Sequence, residues 1–183
     1  MAPASMSAKP AEVERRAVSE LRVAGRRLEG YAARFDEPAN IGGFSETIRP
    51  GAFSDSLRDG RDVLALMDHD PTRVLARSRS GTLRLNEDGT GLGFSLDVPD
   101  TQAGRDALAL AERGDLGGMS FGFSVRPGGE RWEGRSRELQ SVVLHEVSVV
   151  QAFPAYDGTS IAARARMDDA TRLKLALLYL ETL

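Results

Sequence analysis

The sequence predicts an α+β, mainly β domain with antiparallel sheet or barrel at its centre, and three observations carry that expectation. Four short apolar runs, at 63–67, 74–76, 82–85 and 92–98, follow one another with Pro71, Gly81 and Asn86-Glu87-Asp88-Gly89 between them, which is the spacing of strands joined by tight turns. A longer apolar run at 139–150, LQSVVLHEVSVV, reads as a further strand. In QAGRDALALAERGD the apolar residues Ala107, Leu108, Leu110 and Ala111 recur at helical spacing, with Thr101 as N-cap and Gly114 as the stop.

The remaining segments fall around that centre. Residues 1–20 carry Ala, charge, Pro3 and Pro10, bury little, and are expected to be a flexible N-terminal tail outside the core. RRLEGYAARF at 26–35 reads as the first strand. Pro38 and Gly42-Gly43 then open a long connection, PANIGGFSETIRPG, with the makings of a pocket rim. Residues 53–57 suit a single helical turn between Gly51 and Asp59-Gly60. A polar excursion is expected at 127–137, and Pro154 and Gly158 end the β region. At 167–183, Asp168 and Asp169 precede Leu173, Leu177, Leu180 and Leu183 at helical spacing, an amphipathic helix. The organisation read from this pattern is a tail at 1–20, one domain at 21–165 and a C-terminal helix at 166–183.

Composition narrows the chemistry. A chain of 183 residues with 41% hydrophobic and 28% charged residues suits one globular domain with a substantial core. No apolar run approaches the roughly 20 residues of a bilayer crossing, and the first twenty residues lack the apolar block of a secretory signal, so an intracellular protein is expected. The absence of cysteine excludes disulfides, a thiolate nucleophile and cysteine-ligated metal sites. With a net charge of -3 and interspersed signs there is no broad basic surface, so no direct nucleic-acid partner and no membrane partner are expected. Only His69 and His145 can supply an imidazole.

Three places offer chemistry. Asp68-His69-Asp70 ends an apolar strand before Pro71, which suits a general base held on a rigid element and equally suits a solvated histidine in a turn. Ser120 stands in GGMSFGFSV, where glycines two residues to either side match the letters of a hydrolase nucleophile elbow, but a strand follows the serine where the elbow needs a helix. The glycines can still turn backbone N–H groups toward an oxyanion, and the serine can equally be turn filler. His145-Glu146 is a polar pair inside an apolar strand, costly unless each member has a partner. In a regular strand the two point to opposite faces, so only one can orient His69; an inter-strand ion pair is the other reading.

Six segments in order, GYAARFDE, ETIRPGAF, MDHDPTRVLARSRSGTLRL, DGTGLGFSLDVPDT, GDLGGMSFGFSV and LHEVSVVQAFPAYDGTSI, give the stretch from Leu28 to Ala163 a specific resemblance. It resembles the prohead, or capsid maturation, serine proteases of tailed phages. That family is similar in fold to the herpesvirus assembly proteases, which implies an antiparallel β-barrel surrounded by helices. Residue by residue, the resemblance puts the base at His69, the nucleophile at Ser120 and the third member at Glu146, with His145 as the rival for the third place because the herpesvirus enzymes use a second histidine.

The resemblance implies a serine endopeptidase of virion assembly that requires no cofactor and no metal. Its partners would be the major capsid protein and its scaffold segment, with autoproteolysis and self-association as further expectations. Its place would be the host cytoplasm, inside the immature capsid or prohead. The leucine stripe at 167–183 would then dock on a scaffold helix or a second copy, or pack on its own domain. The competing readings are a non-catalytic capsid- or scaffold-binding module with the same barrel and a small-ligand β-barrel.

Overall fold

The computed structural model describes residues 12–152, Ser19 apart. The expected helix at 166–183 and residues 1–11 of the expected tail lie outside the described residues. In chain order the elements are β1 (Glu14–Val18), β2 (Leu21–Ala24), β3 (Arg27–Arg34), β4 (Ala39–Asn40), β5 (Ser45–Ile48), α1 (Ser54–Arg58), β6 (Leu64–Met67), β7 (Asp70–Arg77), β8 (Leu83–Glu87), β9 (Gly91–Asp97), α2 (Gln102–Arg113), β10 (Gly118–Val125), β11 (Glu130–Glu133), β12 (Ser136–Leu139) and β13 (Val142–Val150).

The fold is mainly β, as the turn spacing predicts, and α2 has the expected ends. The Thr101 side chain accepts a hydrogen bond from the Gly104 N–H at 3.2 Å, and Gly114 closes the helix at φ 73, a left-handed conformation that glycine adopts without Cβ strain. The strands form three sheets, in the orders β1-β10-β13-β6-β7, β11-β12-β5-β4 and β2-β3-β9-β8. No ladder closes any of these sheets into a barrel among the described residues. Two pairs, β12 with β5 and β13 with β6, run parallel, where the sequence reading has antiparallel strands throughout. Both join strands far apart in sequence, which turn residues cannot announce. The polar excursion at 127–137 contains β11 and the first half of β12, and the long apolar run breaks at Gln140-Ser141 before β13 begins.

One hydrophobic core serves all three sheets. Its centre is aromatic: Phe121 meets the edge of Phe53 at 5.5 Å between ring centres and stacks on Phe123 at 5.3 Å. Fully burying each such ring stabilises the fold by about 1.5–3 kcal/mol. In β10 the side chains alternate, so Met119, Phe121 and Phe123 enter this core while Ser120, Gly122 and Ser124 take the other face.

The segment expected to be a tail contributes β1, which pairs antiparallel with β10 over Glu14–Val18. Buried charges fasten it. Arg16 reaches both oxygens of Glu46 at 2.6 and 2.8 Å, and Arg137 reaches Glu14 at 2.6 and 2.7 Å and Glu46 at 2.9 Å. Burial works against the charge on Glu14, but the hydrogen bonds and fields of Arg137 and Arg16 prevail and hold its carboxyl below the usual range. The partners are 30 to 123 residues apart in sequence, so ERRAV looks solvated when read locally.

Candidate active site

The site grows from the register of three strands. Ser120 lies opposite Ala17 on β1 and Ser148 on β13, and Gly122 lies opposite Arg15 and Glu146. Directly opposed residues of antiparallel strands share a face. Ser120, Gly122, Glu146, Ser148 and Arg15 therefore lie together on the face of the sheet turned away from the aromatic core.

His69 arrives from the parallel neighbour of β13. β6 and β7 form a hairpin in which Met67 pairs with Asp70, leaving Asp68 and His69 as a two-residue loop with φ values of 52 and 61. Positive φ at both central residues is what a type I′ turn requires, and Asp and His are among the residues that tolerate it. The turn is tied down on both sides. The Asp68 N–H donates to the Val149 carbonyl at 2.9 Å, the Asp68 carboxylate accepts from the Gln151 N–H at 2.9 Å, and Asp70 accepts from the Thr72 N–H and hydroxyl at 2.8 and 2.6 Å. These bonds to Thr72 hold the Asp70 carboxyl below its ordinary range.

In this position His69 Nδ1 lies 2.7 Å from Glu146 Oε1. With the Glu146 carboxylate accepting a hydrogen bond from Nδ1–H, Nε2 keeps its lone pair for a substrate or nucleophile proton. The other oxygen, Oε2, accepts from the Ser148 hydroxyl at 2.5 Å, and Arg15 Nε lies 3.7 Å from Oε1. A Cβ at Gly122 would stand 2.5 Å from Glu146 Oε1, so the absent side chain leaves the space that the carboxylate fills. That accounts for the third glycine of GGMSFGFSV. The serine itself sits inside a strand, with no helix after it.

The structure thus brings His69 and Glu146 into direct contact and sets Ser120 on the adjacent strand of the same face. Among the described residues the Ser120 hydroxyl makes no hydrogen bond, and the residue is 3% exposed, although Ala17 directly opposite it is exposed. His145 goes elsewhere. The partner of β10 jumps from Glu146 at Gly122 to Leu144 at Phe123, which makes His145 the extra residue of a β-bulge. Its Nε2 lies 2.9 Å from the Ser124 hydroxyl. The bulge breaks the regular alternation that the sequence reading assumes for His145 and Glu146. Burial first, and then the Arg61 charge, lowers the pKa of His145, with Glu146 opposing weakly.

Ser148 and Arg15 also belong to this cluster and are not among the residues that the sequence motifs point to. Ser148 had a local signal, since a residue two places from Glu146 on a strand shares its face. Arg15 had none. Among the described residues no group of three or more His, Asp and Glu converges as for a metal ion. An open cleft of about 690 Å³ lies over β2, β3, β8 and β9, lined by Glu20, Tyr31, Asn86, Asp88 and Phe94 among others; it touches neither the site residues nor the expected rim at 38–51.

A search of the curated proteins and of the solved structures finds no match. The family model of the caudovirus prohead serine proteases, by contrast, matches residues 11–173, a span that takes in β1 as well as every residue of the site. With a histidine on a carboxylate and a serine beside them inside that span, the chain belongs to the caudovirus prohead serine protease family.

Proposed function

We propose that this protein is the serine endopeptidase that cuts the scaffold segment from the major capsid protein, and cuts itself, inside the immature capsid in the host cytoplasm. Family membership supports the reaction class, and one observation carries the assignment of roles: the 2.7 Å contact of His69 Nδ1 with Glu146 beside the strand that bears Ser120. On this reading Ser120 is the nucleophile, His69 the general base and Glu146 the group that fixes its tautomer and stabilises the imidazolium. His69 Nε2 takes the Ser120 proton as Oγ attacks the peptide carbonyl, and returns it to the leaving amine. Water then repeats the sequence on the acyl-enzyme and restores the serine. Backbone N–H groups serve the oxyanion, and no metal or cofactor enters any step. The likeness in fold to the herpesvirus assembly proteases, with the sheets as parts of one barrel, belongs to the same reading.

Ser120 is 3% exposed as a residue, so the reading includes a movement over β10 when substrate binds, entering past the exposed Ala17. The same burial favours a second reading, a capsid- or scaffold-binding module that has the family fold without cleavage. Co-expression of the wild type or Ser120→Ala with the cognate capsid protein separates the two. The protease reading expects the wild type alone to shorten the capsid protein or itself; identical band patterns with both forms would overturn it.

A further inference from the structure

Glu146 must present one oxygen to His69, yet a glutamate held only at that oxygen can still swing its carboxylate plane about the last side-chain bond. The second oxygen is where the structure prevents this. Ser148 Oγ donates to Oε2 at 2.5 Å, within the range of a hydroxyl on an ionised carboxylate. The two residues are two places apart on β13, so strand periodicity alone puts them on one face. Ser148 is 0% exposed, and Ser120 lies directly opposite it on β10. Its one proton is committed to Glu146, so it is not itself poised to attack a substrate. Arg15 Nε, 3.7 Å from Oε1, adds charge without a hydrogen bond and cannot set the plane.

We propose that Ser148 is a positioning residue of this site, acting through the Glu146 carboxylate to hold it in the plane that engages His69 Nδ1. The proposal rests on the protease reading of Ser120, His69 and Glu146. A packing role for Ser148 is the competing explanation, and it differs in one respect: packing does not depend on the carboxylate, whereas positioning has no effect once the carboxylate is gone.

The test is the rate at which a fluorophosphonate probe labels Ser120 of the purified full chain, with the site identified by peptide mass mapping, so that no cleavage sequence is needed. Wild type, Ser148→Ala, Glu146→Ala and the double variant form a cycle. Loss of one charge-assisted hydrogen bond predicts labelling about ten- to a hundred-fold slower in Ser148→Ala, with no further loss when the same change is made in Glu146→Ala. The low-field proton signal of the His69 Nδ1–H, present in the wild type, is expected to shift or broaden in Ser148→Ala while the melting temperature falls little. Wild-type labelling rates in Ser148→Ala, or an equal loss in both backgrounds, would overturn the positioning role and leave the protease reading intact. Failure of the wild type to label at Ser120 would overturn the protease reading and this proposal with it.

Discussion

At one end of the β10–β13 ladder Ser120 faces Ser148, with His69 bound to Glu146 on the same side; four residues along β10, the Ser124 hydroxyl lies 2.9 Å from His145 Nε2. By the distance between serine and histidine the second pair looks better assembled. The difference lies behind the imidazole. His69 has a carboxylate on Nδ1, so its other nitrogen is a base whose protonated form has a stabilising partner. His145 has no such carboxylate bond among the described residues, and its burial and the nearby Arg61 disfavour the charged form. A serine–histidine hydrogen bond is a structural feature until something stabilises the imidazolium.

The strongest way to break this comparison is to disable each pair in turn. Ser120→Ala and His69→Ala are each expected to lower cleavage of the capsid protein by about 10⁶-fold, while Ser124→Ala and His145→Ala stay within about tenfold and mainly lose a hydrogen bond's stability, roughly 1 kcal/mol. Comparable losses at Ser124 and His145 would reverse the assignment. Next in size is Glu146→Gln, which keeps shape but removes the charge and the tautomer control, with an expected loss on the order of 10⁴-fold in turnover. Single-turnover assays would show it; if His145→Ala were the more damaging change, the third role would pass to the histidine.

A smaller effect sharpens the same point. Gly122→Ala puts a methyl 2.5 Å from Glu146 Oε1, and the flexible end of the Glu146 side chain is what must move. Displacing the carboxylate by about 1 Å predicts roughly a hundred-fold loss of activity with little change in denaturation midpoint. Unchanged activity would mean that the contact with His69 does not govern the rate.

The smallest effect tests the environment of His145 by pH. The unfolded chain protonates His145 near the ordinary value of 6.5, the folded chain only below it. The unfolded state therefore binds more protons in that window, so the contribution of His145 to stability is complete above 6.5 and is lost as the pH falls through the lowered value. Urea unfolding at pH 7 and pH 5 is expected to show the wild type losing more stability than His145→Gln over that interval; parallel losses would remove the argument that His145 is held neutral.

Much of this was legible in the sequence because the signals are local. Thr101 and Gly114 bound α2, turn residues separate β6 to β9, and the apolar runs mark β10 and β13. What escaped reading depends on partners far away in the chain. β1 is a strand because Arg16 and Glu14 find Glu46 and Arg137, and nothing in ERRAV announces them. The hairpin turn at Asp68-His69 lacks the Asn-Gly or Asp-Gly pair that marks such turns, so Pro71 drew the turn signal although it lies inside β7. The bulge at His145 is likewise silent in sequence, and it decides which of the two adjacent polar residues meets His69.

The measurement that bears most directly on the central claim is the identity of the serine that a fluorophosphonate modifies in the wild type and in His69→Ala. The account predicts a single adduct on Ser120 that is lost when His69 is removed. An adduct on Ser124 that depends on His145, or one on Ser120 that forms equally well without His69, would contradict it.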